Sequence, residues 1–345
     1  MTIVAELFDT VVGVDTHART HSLAVVDART GTEQQSATFP TSPAGLARAV
    51  AWIGRHATGT TLTVVEGAGS YGALLLEHLA SAGLETCEPS PVTRGRGQPK
   101  SDQLDAARIA RSVLGDPVGK LRRPRADTGP RVAMRVLLVA RDQMTTTRTS
   151  MINTLTALLR TVDLGIDARQ PLTTGQIRLI AAWRTRDEPG WLATCRTEAV
   201  RLARTIGDLD RALRTNHTQL DELVGAQAPQ LPTLTGVGPV VAATVLTAWS
   251  HPGRVRTEAA FAAIAGTCPI PASSGNTIRH RLNHGGDRRL NHALHTIVLV
   301  RMRLDPATRA YVARRRAEGR TSREIMRNLK RYVTRQLFRT LASTT

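Results

Sequence analysis

Aromatic side chains, lysine and cysteine are all scarce in this chain. Phe, Trp and Tyr make up 3% of its 345 residues, which argues against a single-strand binder built on stacked bases. Lysine occurs only at Lys100, Lys120 and Lys330. Cys87, Cys195 and Cys268 are odd in number, far apart and never in C-x-x-C spacing. Neither a disulfide frame nor a cysteine zinc site is indicated, and the thiols read as small buried hydrophobes. No apolar run reaches the roughly 18 residues that span a bilayer, and the N-terminus lacks the basic-then-apolar layout of a signal peptide. A basic amphipathic helix with an aromatic face, as a membrane-surface role requires, is also missing. The expectation is a cytoplasmic protein with no membrane partner.

What is abundant is arginine. The formal net charge is +18, and nearly all the positive charge is guanidinium. The planar guanidinium makes paired bonds to phosphate oxygens, and a strongly basic chain carries a salt-dependent affinity for polyanions. A composition of 41% hydrophobic residues suits a globular chain with two ordinary cores, or one core and a long helical extension.

Along the chain, "VVGVDTHARTHSLAVVDA" (11–28) reads as two β-branched strands round a short turn, and "EQQSATFP" (33–40) as a third, more polar strand. Ser42 caps a helix opened by Pro43, with Leu46, Val50 and Ile53 on one face. "TLTVVEGAGSYG" (61–72) reads as a buried strand ending at Glu66, then a Gly-rich turn and a helix through "ALLLEHLASAG". "LETCEPS" offers one more strand, and Ser101 can cap a helix carrying Leu104, Ile109 and Val113. The order β-β-β-α-β-α-β is an α/β layer pattern. A Pro- and Gly-punctuated linker (115–130) follows. One helix is expected at 131–161 and another at 198–224, with leucines near heptad spacing. These can form either a coiled-coil arm or an ordinary packed pair. The rest is helical and very basic.

Asp15 raises the first chemical question, because a carboxylate ending an apolar strand must be paired with a cation or hold a metal. Asp102 and Asp105 lie three apart on one helix face. Taken singly, Asp15 reads as a turn cap, Glu66 as a salt-bridge partner and the D-x-x-D pair as a solvated face. Taken together, Asp15 and Glu66 end parallel strands at one sheet edge, and a helix crossing that edge can bring Asp102 and Asp105 to them. Four converging carboxylates need cations. Magnesium takes such hard oxygen ligands, and two ions about 4 Å apart can clamp an in-line phosphoryl displacement.

Two features stand out in the last third. "LPTLTGVGPVVAATVLTA" (231–248) reads as a helix-hairpin-helix with Gly236 and Gly238 in the turn, where backbone N–H groups can approach phosphate. "GTCPIPASSGNTIRHRLNHGGDRRLNHALH" (266–295) presents Ser273 and Ser274 beside Arg279, Arg281, Arg288 and Arg289. A serine there could attack a phosphodiester if a base or metal activates it. His280 and His284 could be that base, or could contact phosphate only.

The order of an acid on the first strand, an acid after the fourth and a D-x-x-D helix resembles the RNase H-like fold of the RuvC resolvase kind over about residues 10–115. Nearly the whole chain resembles the DEDD transposases of the insertion-sequence 110 family, through "GVDTHARTHSLAVVD", "VVEGAGSYG", "KSDQLDAARIA", "LPTLTGVGPVVAATVL", "AFAAIAGTCPIPASSG" and "HGGDRRLNHALH". That resemblance implies an α/β RuvC-like domain (1–115), a linker and helical coiled-coil arm (116–229), and a mainly α C-terminal transposase domain with the helix-hairpin-helix (230–345). It implies that Asp15, Glu66, Asp102 and Asp105 bind Mg²⁺ or Mn²⁺ as a two-ion centre. It also implies a nucleophilic serine at Ser274, with Ser273 the alternative, and phosphate contacts at Gly236, Gly238, Arg279, Arg281, Arg288 and Arg289. The implied partners are double-stranded DNA, a structured bridge RNA and further copies of the chain, as dimer or tetramer. Competing readings are a RuvC-like nuclease or junction resolvase in which water attacks, a non-catalytic nucleic-acid-binding protein, and, least suited to so basic a surface, a phosphatase.

Overall fold

A computed structural model of the chain describes residues 2–89, 102–125, 129–272, 280, 281, 283 and 285–343. It divides into two compact units, Met1–Asp127 and Thr128–Thr345.

The first unit runs α1 (Val4–Leu7), β1 (Thr10–Thr16), β2 (Thr20–Asp27), β3 (Glu33–Pro40), α2 (Pro43–His56), β4 (Thr61–Val65), α3 (Ala73–Ser81), β5 (Glu85–Cys87) and α4 (Asp102–Arg111). The sheet order is β3-β2-β1-β4-β5. β1 is antiparallel to β2 and parallel to β4, and β4 is parallel to β5. β1 is buried along its whole length because helices cover both of its faces. Val12 and Val14 join a core with Leu46, Ile53, Leu75 and Leu79 of α2 and α3, while Val11 packs with Ala106, Ala110 and Val113 on the α4 side. This is the two-residue alternation of a strand between two layers. At the sheet edge β3 is polar and half exposed, which discourages edge pairing. The β2–β3 turn is held by Asp27, whose Oδ1 accepts from the backbone N–H groups of Arg29 and Thr30.

The second unit contains α5 (Gly129–Thr161), α6 (Thr174–Ala181), α7 (Gly190–Gln227), α8 (Pro239–Trp249), α9 (Glu258–Ile264), the short strands β6 (Ile270–Pro271) and β7 (His280–Arg281), α10 (Arg288–Leu304), α11 (Pro306–Ala317) and α12 (Ser322–Ala342). α5 and α7 pack antiparallel. Asn216 Nδ2 donates to the Leu137 carbonyl at 2.9 Å, Arg141 Nη1 to the Leu213 carbonyl at 3.2 Å, and Arg148 Nε to Asp210 Oδ1 at 2.5 Å. The pair is apolar at its ends and polar between them. At one end Leu155, Leu159, Leu202 and Ile206 pack with Ile177 and Ile180 of α6. At the other, Met134, Leu138, Leu220 and Val224 join the core of α8–α12, around Trp249, Phe261, Leu294 and Leu337. Residues expected in an arm and in a C-terminal domain therefore share one compact unit. The expected hairpin segment, 231–248, holds a single helix, α8, preceded by turns. The previous helix ends at Gln227.

The mixed α/β unit followed by a mostly helical region matches the expected α/β and mainly α layout. No helix among the described residues is long and apolar enough to cross a membrane.

Candidate functional site

The C-terminal ends of β1 and β4 lie side by side. Val14 pairs with Val65 in parallel register, the Glu66 N–H donates to the Val14 carbonyl at 3.0 Å, and Thr16 Oγ1 donates to the Glu66 carbonyl at 2.8 Å. Asp15 and Glu66 thus sit next to each other at one sheet edge. Asp15 is 9% exposed and falls on the Val11–Gly13 face, the face that α4 covers.

Gly13 sets how closely α4 can approach. A Cβ at that position would lie 2.0 Å from the Ala106 carbonyl oxygen and 2.6 Å from the Ala110 nitrogen, so only glycine lets the helix backbone rest on the strand. The far end of α4 is tied near the start of β1: Arg111 Nε donates to the Gly31 carbonyl at 2.7 Å, and the Ala5 N–H donates to the Leu114 carbonyl at 3.1 Å. The first turn of α4 therefore points toward the end of β1 that carries Asp15. Asp105 is buried there at 6% exposure, with its Oδ1 2.9 Å from Arg108 Nη2. Asp102 opens the same helix, and its side chain lies outside the described residues.

His17 Nε2 stands 3.2 Å from Asp15 Oδ2. Ser22, directly across β2 from Asp15, is buried and bonds Thr38 Oγ1 at 3.1 Å. His21 is on the opposite face of β2, and burial pushes its pKa down. Among the described residues, no group of three or more His, Cys, Asp or Glu side chains is gathered tightly enough to hold a metal ion. The carboxylate oxygens of Asp15, Glu66 and Asp105 are the hard donors that a divalent cation takes, and Asp15 and Asp105 are already withdrawn from water. Glu66 is exposed.

In the second unit, Ser273, Ser274, Arg279 and His284 lie outside the described residues. β6 and β7 pair on either side of that serine segment, Ile270 with Arg281 and Pro271 with His280. Arg281 is exposed. Arg288 and Arg289 begin α10, which is capped by Asp287, and Arg289 is held by Asp142 of α5 at 2.7 Å. Gly236 has φ +86°, and a Cβ there would come within 3.0 Å of the Ile297 carbonyl oxygen on α10. Its glycine requirement is met by packing on its own chain. Gly238 is the N-cap of α8.

No residue of α11 or α12 stands out in the sequence, yet these helices and the turn between them line a basic cleft with Arg315, Arg320, Arg323, Arg327, Lys330 and Arg331. The signal was available as cations recurring every three or four positions from Arg320 to Arg331, the period of one helix face.

Comparison with known proteins gives three findings. A family model described as "Transposase", for the DEDD transposases of IS110 elements, matches residues 12–163. A second, described as "Transposase IS116/IS110/IS902 family", matches residues 228–313. The chain is also 32% identical over 133 residues to an uncharacterized 43.6 kDa protein of insertion element IS110 from Streptomyces coelicolor. That match covers 38% of this chain and 33% of the relative, so the chain spans about a third of the length of the curated relative it matches. With one model over the acid-bearing sheet and the other over the serine and glycine motifs, the chain belongs to the IS110 family of transposases.

Proposed function

We propose that this chain cuts and rejoins DNA strands as the transposase of an insertion element, with the acids at the β1–β4–α4 edge as its catalytic centre. The observation that supports this reading is that Asp15 and Glu66 end neighbouring parallel strands, while Asp105 is buried on the first turn of the helix packed over Gly13 of β1. Asp15, Glu66, Asp102 and Asp105 would hold Mg²⁺ or Mn²⁺ as a two-ion centre, which would supply charge neutralisation at the scissile phosphate and acidify the attacking hydroxyl. The DEDD-type domain is consistent with divalent metal use.

The nucleophile in this reading is Ser274, with Ser273 as the alternative. Its Oγ bonds to phosphorus while the bond from phosphorus to one deoxyribose oxygen breaks, and the serine proton passes to that leaving oxygen. One phosphodiester replaces another, so bond energy is kept for rejoining to a different strand hydroxyl. The arginine-rich surface would hold DNA by its phosphates, which positions it without reading bases. Pairing by a structured bridge RNA would then choose the sites, and a homo-oligomer would bring two DNA partners together.

The test is incubation of wild-type, Ser274→Ala and Ser273→Ala protein with junction DNA and Mg²⁺, followed by a denaturing gel. A protein–DNA adduct lost in Ser274→Ala alone supports the assignment, and loss in Ser273→Ala alone moves it by one residue. Strand cleavage without an adduct in wild type would establish water attack, the resolvase alternative. Asp105→Asn is expected to abolish cleavage on either route. Binding with unchanged DNA rearrangement in Asp105→Asn would remove the acids from catalysis.

A further inference from the structure

The cleft beside α12 has a volume of about 1040 Å³. One wall is α12 with the end of α11, and the other is the Gly266–Pro269 turn with Asn291 and His295 of α10. Six cations from the first wall line it, against one carboxylate among the described lining residues, Glu324. That carboxylate is already engaged: Glu324 Oε2 accepts from the Thr321 N–H and hydroxyl at 2.9 Å each, as part of the capping box of α12. Arg315 pairs with Glu318, Arg331 with Glu258 and Arg320 with Glu324, so the excess positive charge of the cleft is carried by Arg323, Arg327 and Lys330.

Two further features mark a built site. Arg331 is anchored through Nη2 to Glu258 at 2.7 Å, while its Nη1 is buried and, among the described residues, has no hydrogen-bond partner. The Nε of Arg315 is in the same condition. Buried donors without acceptors are costly unless a ligand supplies the acceptors. Lys330 is fixed rather than loose: its Nζ donates to Asn291 Oδ1 at 2.8 Å, and Asn291 Nδ2 donates to the Ala265 carbonyl at 2.7 Å.

The shape of this charge selects the ligand. From Arg320 to Arg331 the cations extend about 16 Å along α12, too far for one small anion. Duplex DNA presents a charge every 1.7 Å or so along its axis. No Phe, Tyr or Trp is among the described lining residues, so unstacked bases find little platform. We infer that the α11–α12 cleft is a seat for the phosphate backbone of duplex DNA, contacted without regard to base sequence. The inference rests on the proposed DNA-joining function only for the identity of the polyanion.

The experiment uses the full chain and measures fluorescence anisotropy with labelled duplex DNA of arbitrary sequence across a salt series. Arg323 and Arg327 are exposed, so Arg323→Gln/Arg327→Gln is compatible with the fold, which circular dichroism checks. The expected result is affinity weakened about tenfold or more, with the log–log salt slope reduced by about 2. Arg323→Lys/Arg327→Lys is expected to restore the slope. The control, Arg48→Gln/Arg55→Gln, removes the same charge from the exposed face of α2 and is expected to change affinity less than threefold or so. Equal losses in the two glutamine variants would overturn the seat, and tighter binding of matched single-stranded DNA or duplex RNA would overturn its occupant. Adduct formation is scored in the same samples. Duplex binding that depends on Arg323 and Arg327 without any adduct leaves the seat standing and removes the recombinase reading. An adduct formed by a variant with unchanged affinity does the opposite.

Discussion

Gly13 and Cys87 show how much a single position decides in the first unit. Gly13→Ala would drive a methyl group into the backbone of α4, and overpacking against a rigid element costs about 3 kcal/mol or more. The expected outcome is a lower urea midpoint together with loss of strand cleavage, because the helix that moves carries Asp102 and Asp105. Cys87 on β5 is 1% exposed, and burial pushes its thiol up to about 12. Alkylation needs the thiolate. Mass spectrometry after iodoacetamide treatment is expected to find Cys87 unmodified in the native protein and labelled in urea; equal labelling in both would mean that β5 is not buried as described. The sequence suggested this inert cysteine from its isolation. It gave no sign of what Gly13 does, because the reason for that glycine is a helix about 90 residues later in the chain.

At the scale of elements, capping and the α5–α7 contact carry the testable energetics. Asp305 ends α10 and caps α11, accepting from the Thr308 N–H at 2.9 Å and from its hydroxyl at 2.5 Å. The Thr308 hydrogen bonds hold its carboxyl below the usual range. A lowered folded-state pKa means that the stabilisation is fully present above the unfolded value, near pH 4, and is lost as pH falls through the folded value. Asp305→Ala is expected to cost about 1 kcal/mol at neutral pH. Asp305→Asn keeps the cap and should flatten the acid-side fall, read as urea midpoint against pH. Asn216, buried at 3% exposure, joins α7 to α5, and Asn216→Ala is expected to cost about 1–3 kcal/mol, measured by thermal unfolding. The heptad-like leucines predicted a helix here correctly. They did not reveal that the middle of the contact is polar, with Arg141, Arg148, Asp210 and Asn216 taking the positions between two apolar ends.

For the whole molecule the governing quantity is charge. A net +18 produces a long-range attraction for polyanions that salt weakens. If Arg323, Arg327 and Lys330 of the α11–α12 cleft each neutralise a phosphate, their share of duplex affinity should fall about fortyfold over a fourfold rise in salt. Anisotropy titrations at several salt concentrations check this, and a slope magnitude below about 2 would mean that the cleft is not in contact. The excess of arginine over lysine changes how phosphates are gripped more than how many are gripped, since each guanidinium offers a fixed fork of donors.

Composition and local pattern by themselves determined the polyanion preference, the β-β-β-α-β-α-β order, the long helices and the four acids worth watching, because charge, two- and 3.6-residue periodicity and turn chemistry are local properties of a chain. Only the tertiary structure decided that Asp15 and Glu66 are neighbours, that Gly13 seats α4 above them, that Gly236 serves packing on α10, and that the α12 arginines share a cleft with two buried, unanswered donors. Those are relations between residues tens to nearly 100 positions apart, and they depend on strand register and helix packing, which no window of sequence contains.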